Sequence, residues 1–308
     1  MYVLIVYNPN AGKRKGPQHA AELEQALVNT AKQFQTDIKV SQFASKSLRE
    51  MRDFWKTKTS DDFDTVVVIG GDGTVGPIVN ELIKNKLDIP LYCYGHGTAN
   101  DFATFVGTNC RPEDAAQHIL QGQTVPADTI HINGHTYAIN VACGGAFTNG
   151  VTQYNKKSKR IFGKFAYIMQ AFFQSFTIKG QKMRFIVDGE SFTANVFVFY
   201  IVNTGNVGGM RNAAPLAQLS DGKLDLVCIK RCNIFGKISL KLHQSRGTMH
   251  KCKHVKYIQG TTFRVEYLPG STVVQTFRLT DIDGCPAYPY PMDVTVGPKI
   301  RVVIPQKS

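Results

Sequence analysis

The chain has 308 residues, 43% of them hydrophobic, and its 36 Lys/Arg against 23 Asp/Glu give a formal charge of +13. That length can bury a sizeable core and predicts two domains, while the longest apolar run, VFVFYIV (196–202), is far too short to span a bilayer. Seven scattered cysteines with one close pair, C-I-K-R-C (228–232), fit neither a disulfide framework nor a four-ligand zinc site, so reduced thiols in a cytoplasmic protein are expected. The start, MYVLIVYNPN, lacks the basic n-region and the apolar length of a signal peptide.

In chain order, YVLIVY (2–7) predicts a strand and AAELEQALVNTAKQF (20–34) a helix with Leu23, Leu27 and Phe34 on one face. A strand near IKVSQF (38–43), a helix near LREMRDFWK (48–56), the strand TVVVI (65–69), a helix near VGPIVNELIKN (75–85) and the strand IPLYCY (89–94) follow. PEDAAQHILQG (112–122) reads as a helix opened by Pro112 and closed by Gly122. This alternation predicts an N-terminal α/β domain with a parallel sheet covered by helices, over 1–125. After Pro126 the pattern changes. TIHINGHTYAINVAC and MRFIVDGESFTANVFVFYIVN read as hairpins turning at Asn133-Gly134 and Asp188-Gly189. IFGKFAYIMQAFFQSF (161–176) is a helical interruption between them. KLDLVCIK, HVKYIQG, TTFRVEYL, TVVQTFRLTDIDG and VTVGPKIRVVIP are further β segments. Residues 126–308 are therefore expected to form a mostly antiparallel β-sandwich, with return of the last strand to the first domain left open.

Three glycine-bearing loops fall at strand ends, where α/β sheets bind ligands: NPNAGKRKG, GGDGT and GHGTAND. Gly71, Gly73 and Gly76 satisfy the dinucleotide fingerprint literally. That fingerprint, however, requires an acid about 20 residues on at the end of the next strand, and Tyr92-Cys93-Tyr94-Gly95-His96 offers none. A P-loop is excluded because no G-K-[ST] is present. The loops instead suit a phosphate compound: backbone N–H groups with Lys13, Arg14 and Lys15 nearby, and Thr74 as a cap on a helix whose N-terminus faces an anion. Asp72 would repel phosphates unless a cation such as Mg²⁺ intervened. Any one loop alone would be an ordinary strand-to-helix turn.

The ordered set NPNAG, GGDGT, GHGTANDFA, FGKFAYIMQ, VNTGNVGG, LSDGKLDL, SRG with His250, and DIDG resembles the diacylglycerol kinase catalytic family of soluble bacterial lipid kinases, which is similar to the sphingosine and ceramide kinases. The resemblance implies ATP- and Mg²⁺-dependent transfer of a phosphoryl group to a lipid hydroxyl, with diacylglycerol to phosphatidate leading, and roles in phospholipid metabolism. Sphingoid or ceramide phosphorylation, or a weakly active or silent nucleotide or lipid binder, is the alternative. It implies ATP contacts from Asn8, Pro9, Asn10, Ala11, Gly12, Ser45, Gly70, Gly71, Asp72, Gly73, Thr74 and Thr98. Asp72 and Asp101 would lie near the reaction centre, and Gln218, Asp221 and Lys223 would hold a structural Mg²⁺, the first and last through carbonyls. Where the family continues N-D-F with arginine, this chain has Thr104. The family's base is the glutamate of a D-G-E tripeptide, and the matching place reads Asp283-Gly284-Cys285. Asp283 is then the expected assisting carboxylate beside Cys285, while Glu190 in the literal D-G-E at 188–190 is a decoy in a hairpin.

The basic excess, dense in KKSKR (156–160) with Lys164 and again from Lys241 to Lys256, suits anionic membrane, nucleotide or nucleic acid, or is simply a solvated face. Given the resemblance, peripheral contact with an anionic membrane at its cytoplasmic face is expected, no nucleic-acid partner is expected, and a homodimer is compatible. Phe162, Phe165, Met169, Phe172 and Phe176 share one helical face, which reads either as an interfacial helix or, more often for such stripes, as core.

Overall fold

The computed structural model describes residues 1–10, 14–145, 180–273 and 277–306. The chain divides into two compact units: Met1–Ala127 with Pro298–Ser308, and Asp128–Gly297.

In the first unit, strands β1 (Tyr2–Tyr7), β2 (Lys39–Ala44), β3 (Thr65–Gly70) and β4 (Leu91–Gly95) alternate with helices α1 (Gly16–Gln33), α2 (Leu48–Trp55) and α3 (Asp72–Lys84). The strands are parallel in the order β4-β3-β1-β2, with Val3 opposite Thr65 and Val66 opposite Leu91. The last strand, β15 (Met292–Ile304), adds Val302 in parallel beside Leu91. Both faces of β1 and β3 are buried, which is why YVLIVY and TVVVI read as unbroken apolar runs rather than alternating ones. Val3, Ile5, Val67, Ile69, Tyr92 and Tyr94 meet Leu23 and Leu27 of α1 and Ala115 and Ile119 of α5 (Pro112–Gln121) in one core. Phe34 departs from the expected stripe: it stands one residue past α1 and is 37% exposed. Two helix starts also differ from expectation. α3 opens three residues before Val75, and a five-residue helix, α4 (Asp101–Phe105), occupies the loop after β4.

The second unit is built of antiparallel pairs. β5 (Gln123–Ile132) pairs with β6 (Thr136–Ala138), and β7 (Val141–Gly145) with β9 (Glu190–Val202). β9 pairs further with β8 (Gln181–Val187) and β10 (Leu224–Lys230), and β10 with β11 (Val255–Gly260). β12 (Thr262–Tyr267) lies between β8 and β15, and β13 (Asp281–Ile282) pairs with β7 and β14 (Cys285–Pro286). Asn133-Gly134 and Asp188-Gly189 both take positive φ at both turn positions, as the two-residue hairpins required. Glu190 therefore starts a strand directly behind a turn, as the hairpin reading of 188–190 expected. Phe185, Phe199, Ile201, Leu226, Phe263 and Val294 centre the sandwich core. The opposite face, Tyr200, Val202 and Val227, is covered by Leu240 of a helix not anticipated from the sequence, α6 (Ile234–Ser245). Asn233 caps it, its side chain accepting the Gly236 N–H at 3.0 Å. The expected helix at 161–176 and the basic cluster 156–160 lie outside the described residues.

Candidate active site

In the first unit a cleft of ≈ 270 Å³ opens at the carboxyl ends of β1 and β2, between α2 and the first turns of α3, and is lined by Asn8, Ser45, Gly73 and Thr74 together with Lys46, Ser47, Leu48, Met51, Pro77 and Ile78. Four expected nucleotide residues thus converge from three separate chain segments. Asn8 makes a tight local turn, its Oδ1 accepting the Asn10 N–H at 2.8 Å. Ser47, a residue without an expected role, caps α2 by accepting the Glu50 N–H at 3.2 Å, which holds Lys46 and Leu48 at the cleft. Pro77 sits inside α3 and withholds the N–H that would have bonded the Gly73 carbonyl one turn back. Ala11 and Gly12 lie outside the described residues. Thr98 is exposed on the loop before α4.

Thr74 does not cap α3, as had been expected. Gly71 is the N-cap residue, and the Thr74 side chain lies so close over Gly70 that a Cβ there would stand 2.7 Å from it. The GGDGT and GHGTAND loops touch backbone to backbone. A Cβ on Gly97 would fall 2.4 Å from the Gly71 Cα, so these glycines are required for the loop-to-loop contact itself.

Asp72, in the first turn of α3, directs its carboxylate across that contact and accepts the backbone N–H of Asp101 at 3.2 Å and of Phe102 at 3.1 Å. These are the first donors of α4, whose preceding residue, Asn100, is left-handed and supplies no side-chain cap. Asp72 therefore caps α4 from another loop. Asp101 itself is buried. His96, on the same loop, stacks on His19 of α1 with ring centroids 3.9 Å apart, and burial, with His19 adding to it, pushes its pKa down to about 4.

In the second unit, Gln218, Asp221 and Lys223 are all exposed on the loop before β10. Asp221 accepts the Lys223 N–H at 3.0 Å. Beneath the loop lies a carboxylate missed in the sequence, Asp128, which is buried. It accepts the Gly222 N–H at 2.7 Å and donates its own N–H to the Leu219 carbonyl at 2.7 Å. Nothing local marks Asp128, since its partners Asn203 and Gly222 lie 75 and 94 residues on. Burial, with the charge of Asp221 adding to it, pushes Asp225 up to about 6, against hydrogen bonds from Tyr257 and Gln259. Carboxylate and carbonyl oxygens, the donors at this loop, are the type of ligand a hard divalent cation takes. Among the described residues no group of three or more His, Cys, Asp or Glu side chains could hold a metal, so a cation here would draw on main-chain carbonyls and water.

The D-G-C segment is a two-residue hairpin, with Asp283 and Gly284 both at positive φ and Ile282 opposite Cys285. The buried Asp283 carboxylate accepts three backbone N–H groups: Ile139 at 2.9 Å, Asn140 at 3.2 Å and Val141 at 2.9 Å. Its oxygens thus brace the β6–β7 connection. Cys285 is exposed.

The Diacylglycerol kinase catalytic domain matches residues 2–132, and the YegS C-terminal NAD kinase beta sandwich-like domain matches residues 141–304. The chain is 28% identical over 264 residues to the diacylglycerol kinase of Bacillus subtilis (strain 168), covering 85% of this chain and 84% of that one. It is 26% identical over 264 residues to the diacylglycerol kinase of Staphylococcus aureus (strain bovine RF122 / ET3-1), covering 86% and 82%. In fold it is similar to a diacylglycerol kinase from Bacillus anthracis str. Sterne, with a TM-score of 0.74 at 19% identity over 98% of this chain and 96% of that chain. With the two family models matching in succession along it, the chain belongs to the bacterial diacylglycerol kinase-like lipid kinases.

Proposed function

We propose that this protein transfers the γ-phosphoryl group of ATP to the hydroxyl of a lipid alcohol, with diacylglycerol giving phosphatidate as the leading substrate. The observation that carries the reading is the first-unit cleft, where Asn8, Ser45, Gly73 and Thr74 converge beside the N-terminus of α3. Backbone N–H groups at that helix start favour phosphate oxygens. The names of the curated relatives support the lipid substrate. Residues 1–125, with the returning end of the last strand, act as the nucleotide-binding part and the remainder of 126–308 as the lipid-substrate part, at the cytoplasmic face of the membrane. Mg²⁺, when bound, neutralises phosphate charge, and the loop of Gln218, Asp221 and Lys223 holds a second, structural ion. Phosphoryl transfer relies mainly on positioning and charge stabilisation. Asp72 contributes by holding the two glycine loops together.

A slower reaction, or a silent binder, is the second reading. It is favoured by the engagement of Asp283 with three backbone donors and by an exposed thiol where the family has its base. Incubation with radiolabelled ATP, Mg²⁺ and a total lipid extract tests both. A labelled phosphatidate supports the first, a labelled sphingoid or ceramide phosphate redirects it, and no labelled lipid overturns transfer.

A further inference from the structure

Helix α6 buries Gly236, Lys237 and Leu240 and turns an apolar stripe outward. Phe235 is 76% exposed, Ile238 59%, Leu242 46% and Ile234 44%. The spacing i, i+1, i+4, i+8 places all four within one helical face. Four large apolar side chains together on one twelve-residue helix form a patch, unlike single exposed leucines, which need no explanation. Exposed Lys241 and Arg246 border it, and α6 packs against the 3₁₀ turn Met249–Lys251. From Asp225 to Glu266 the chain carries no acidic residue, while Lys251, Lys253 and Lys256 are also exposed.

We infer that the outward face of α6 docks into the surface of an anionic phospholipid bilayer, its apolar stripe entering the headgroup boundary and its basic border meeting lipid phosphates. Charge selects this occupant. A second copy paired face to face would set Lys241 and Arg246 against like charges. Nucleic acid offers no apolar surface to cover Ile238 and Leu242. An anionic bilayer satisfies both halves of the patch. For its purpose the inference rests on the proposed action on a lipid, but the binding itself requires neither ATP nor acceptor.

The test is cosedimentation of the full chain with phosphatidylglycerol or phosphatidylcholine vesicles, at low and high salt. The wild type should partition onto phosphatidylglycerol at least about tenfold better, since each basic residue near an anionic surface is worth roughly fivefold. The combined variant Phe235→Ser, Ile238→Ser, Leu242→Ser should lose at least about tenfold in binding to both vesicle types, with an unchanged melting temperature, because those side chains are exposed. Lys241→Glu with Arg246→Glu should lose phosphatidylglycerol binding and its salt dependence. Wild-type vesicle binding by the serine variant would overturn the inference. So would a dimer that the serine variant splits, with no vesicle binding by either form. Phosphorylation of a short-chain diacylglycerol dispersed in detergent, measured on the same variants, separates the two questions. Retained phosphorylation with lost vesicle binding supports this face, and retained vesicle binding without any phosphorylation leaves the face standing while overturning the kinase reading.

Discussion

Asp283 and Val141 hold each other twice: the Val141 N–H reaches Asp283 Oδ1 at 2.9 Å, and the Asp283 N–H reaches the Val141 carbonyl at 3.0 Å. Ile139 and Asn140 donate to the same carboxylate. Asp283→Asn turns an amide N–H₂ toward buried backbone donors, and an unsatisfied buried donor costs about 1–3 kcal/mol. The melting temperature should fall by several degrees, while kcat per folded molecule changes less than about twofold. A large drop in kcat with unchanged melting would restore Asp283 to the chemistry.

Cys285 is exposed at the start of β14, so a longer side chain there meets solvent rather than core. Cys285→Glu should leave stability within about 0.5 kcal/mol. A positioned base typically contributes 10²–10⁴-fold, with the low end suited to a loose phosphoryl-transfer transition state. On the proposed function, kcat should rise at least about tenfold with little change in KM for ATP. Steady-state kinetics showing no gain would mean that the base lies elsewhere.

Asp72→Asn retains one oxygen for the Asp101 and Phe102 donors and presents N–H₂ to the other. Stability should drop by about 1–2 kcal/mol in a denaturant melt, and lipid phosphorylation should be lost. A variant that melts earlier yet phosphorylates at the wild-type rate would make Asp72 a loop brace only.

If Asp221 holds Mg²⁺, the ion stabilises the folded state by mass action, about 2.7 kcal/mol at a concentration 100 times Kd. Asp221→Ala should abolish that increment in thermal melts. In chelator the two proteins should melt within a few degrees of each other, since removing Asp221 also relieves its repulsion of Asp225. A wild-type melting temperature indifferent to Mg²⁺ and chelator would refute the site.

The neutral His96 ring stacks on His19, which bonds Glu22, and meets Tyr94 edge-on, and its folded pKa of about 4 lies below the ordinary value of 6.5. Protonation therefore favours the unfolded chain. The stability this group contributes is complete above pH 6.5 and is lost as pH falls toward about 4. His96→Gln should flatten the stability profile across that window relative to wild type, as read by urea midpoints at pH 7 and pH 4.5. Identical slopes would exclude His96 as the titrating group.

Where signals are local, the chain could be read directly. Asn133-Gly134 and Asp188-Gly189 turned as hairpins because these pairs tolerate positive φ. Leu23 and Leu27 faced the sheet because 3.6-residue periodicity leaves them on one side of α1. The continuous apolar runs of β1 and β3 already implied a sheet covered on both faces. The ordered glycine motifs carried the family.

Other features depended on groups distant along the chain. α4 is too short to announce itself, and its cap, Asp72, comes from 29 residues earlier. The Asp128 carboxylate meets Gly222 from 94 residues on. Asp283 reads in the sequence as an assisting carboxylate, and its three backbone donors come from 139–141, more than 140 residues earlier. α6 is apolar on two sides, and only the core of the second unit decides that Leu240 turns inward and Phe235 outward. Periodicity and turn chemistry act over a few residues and are written in the sequence. Hydrogen-bond partners and burial are set by which segments the fold brings within about 3 Å, and these only the tertiary structure decided.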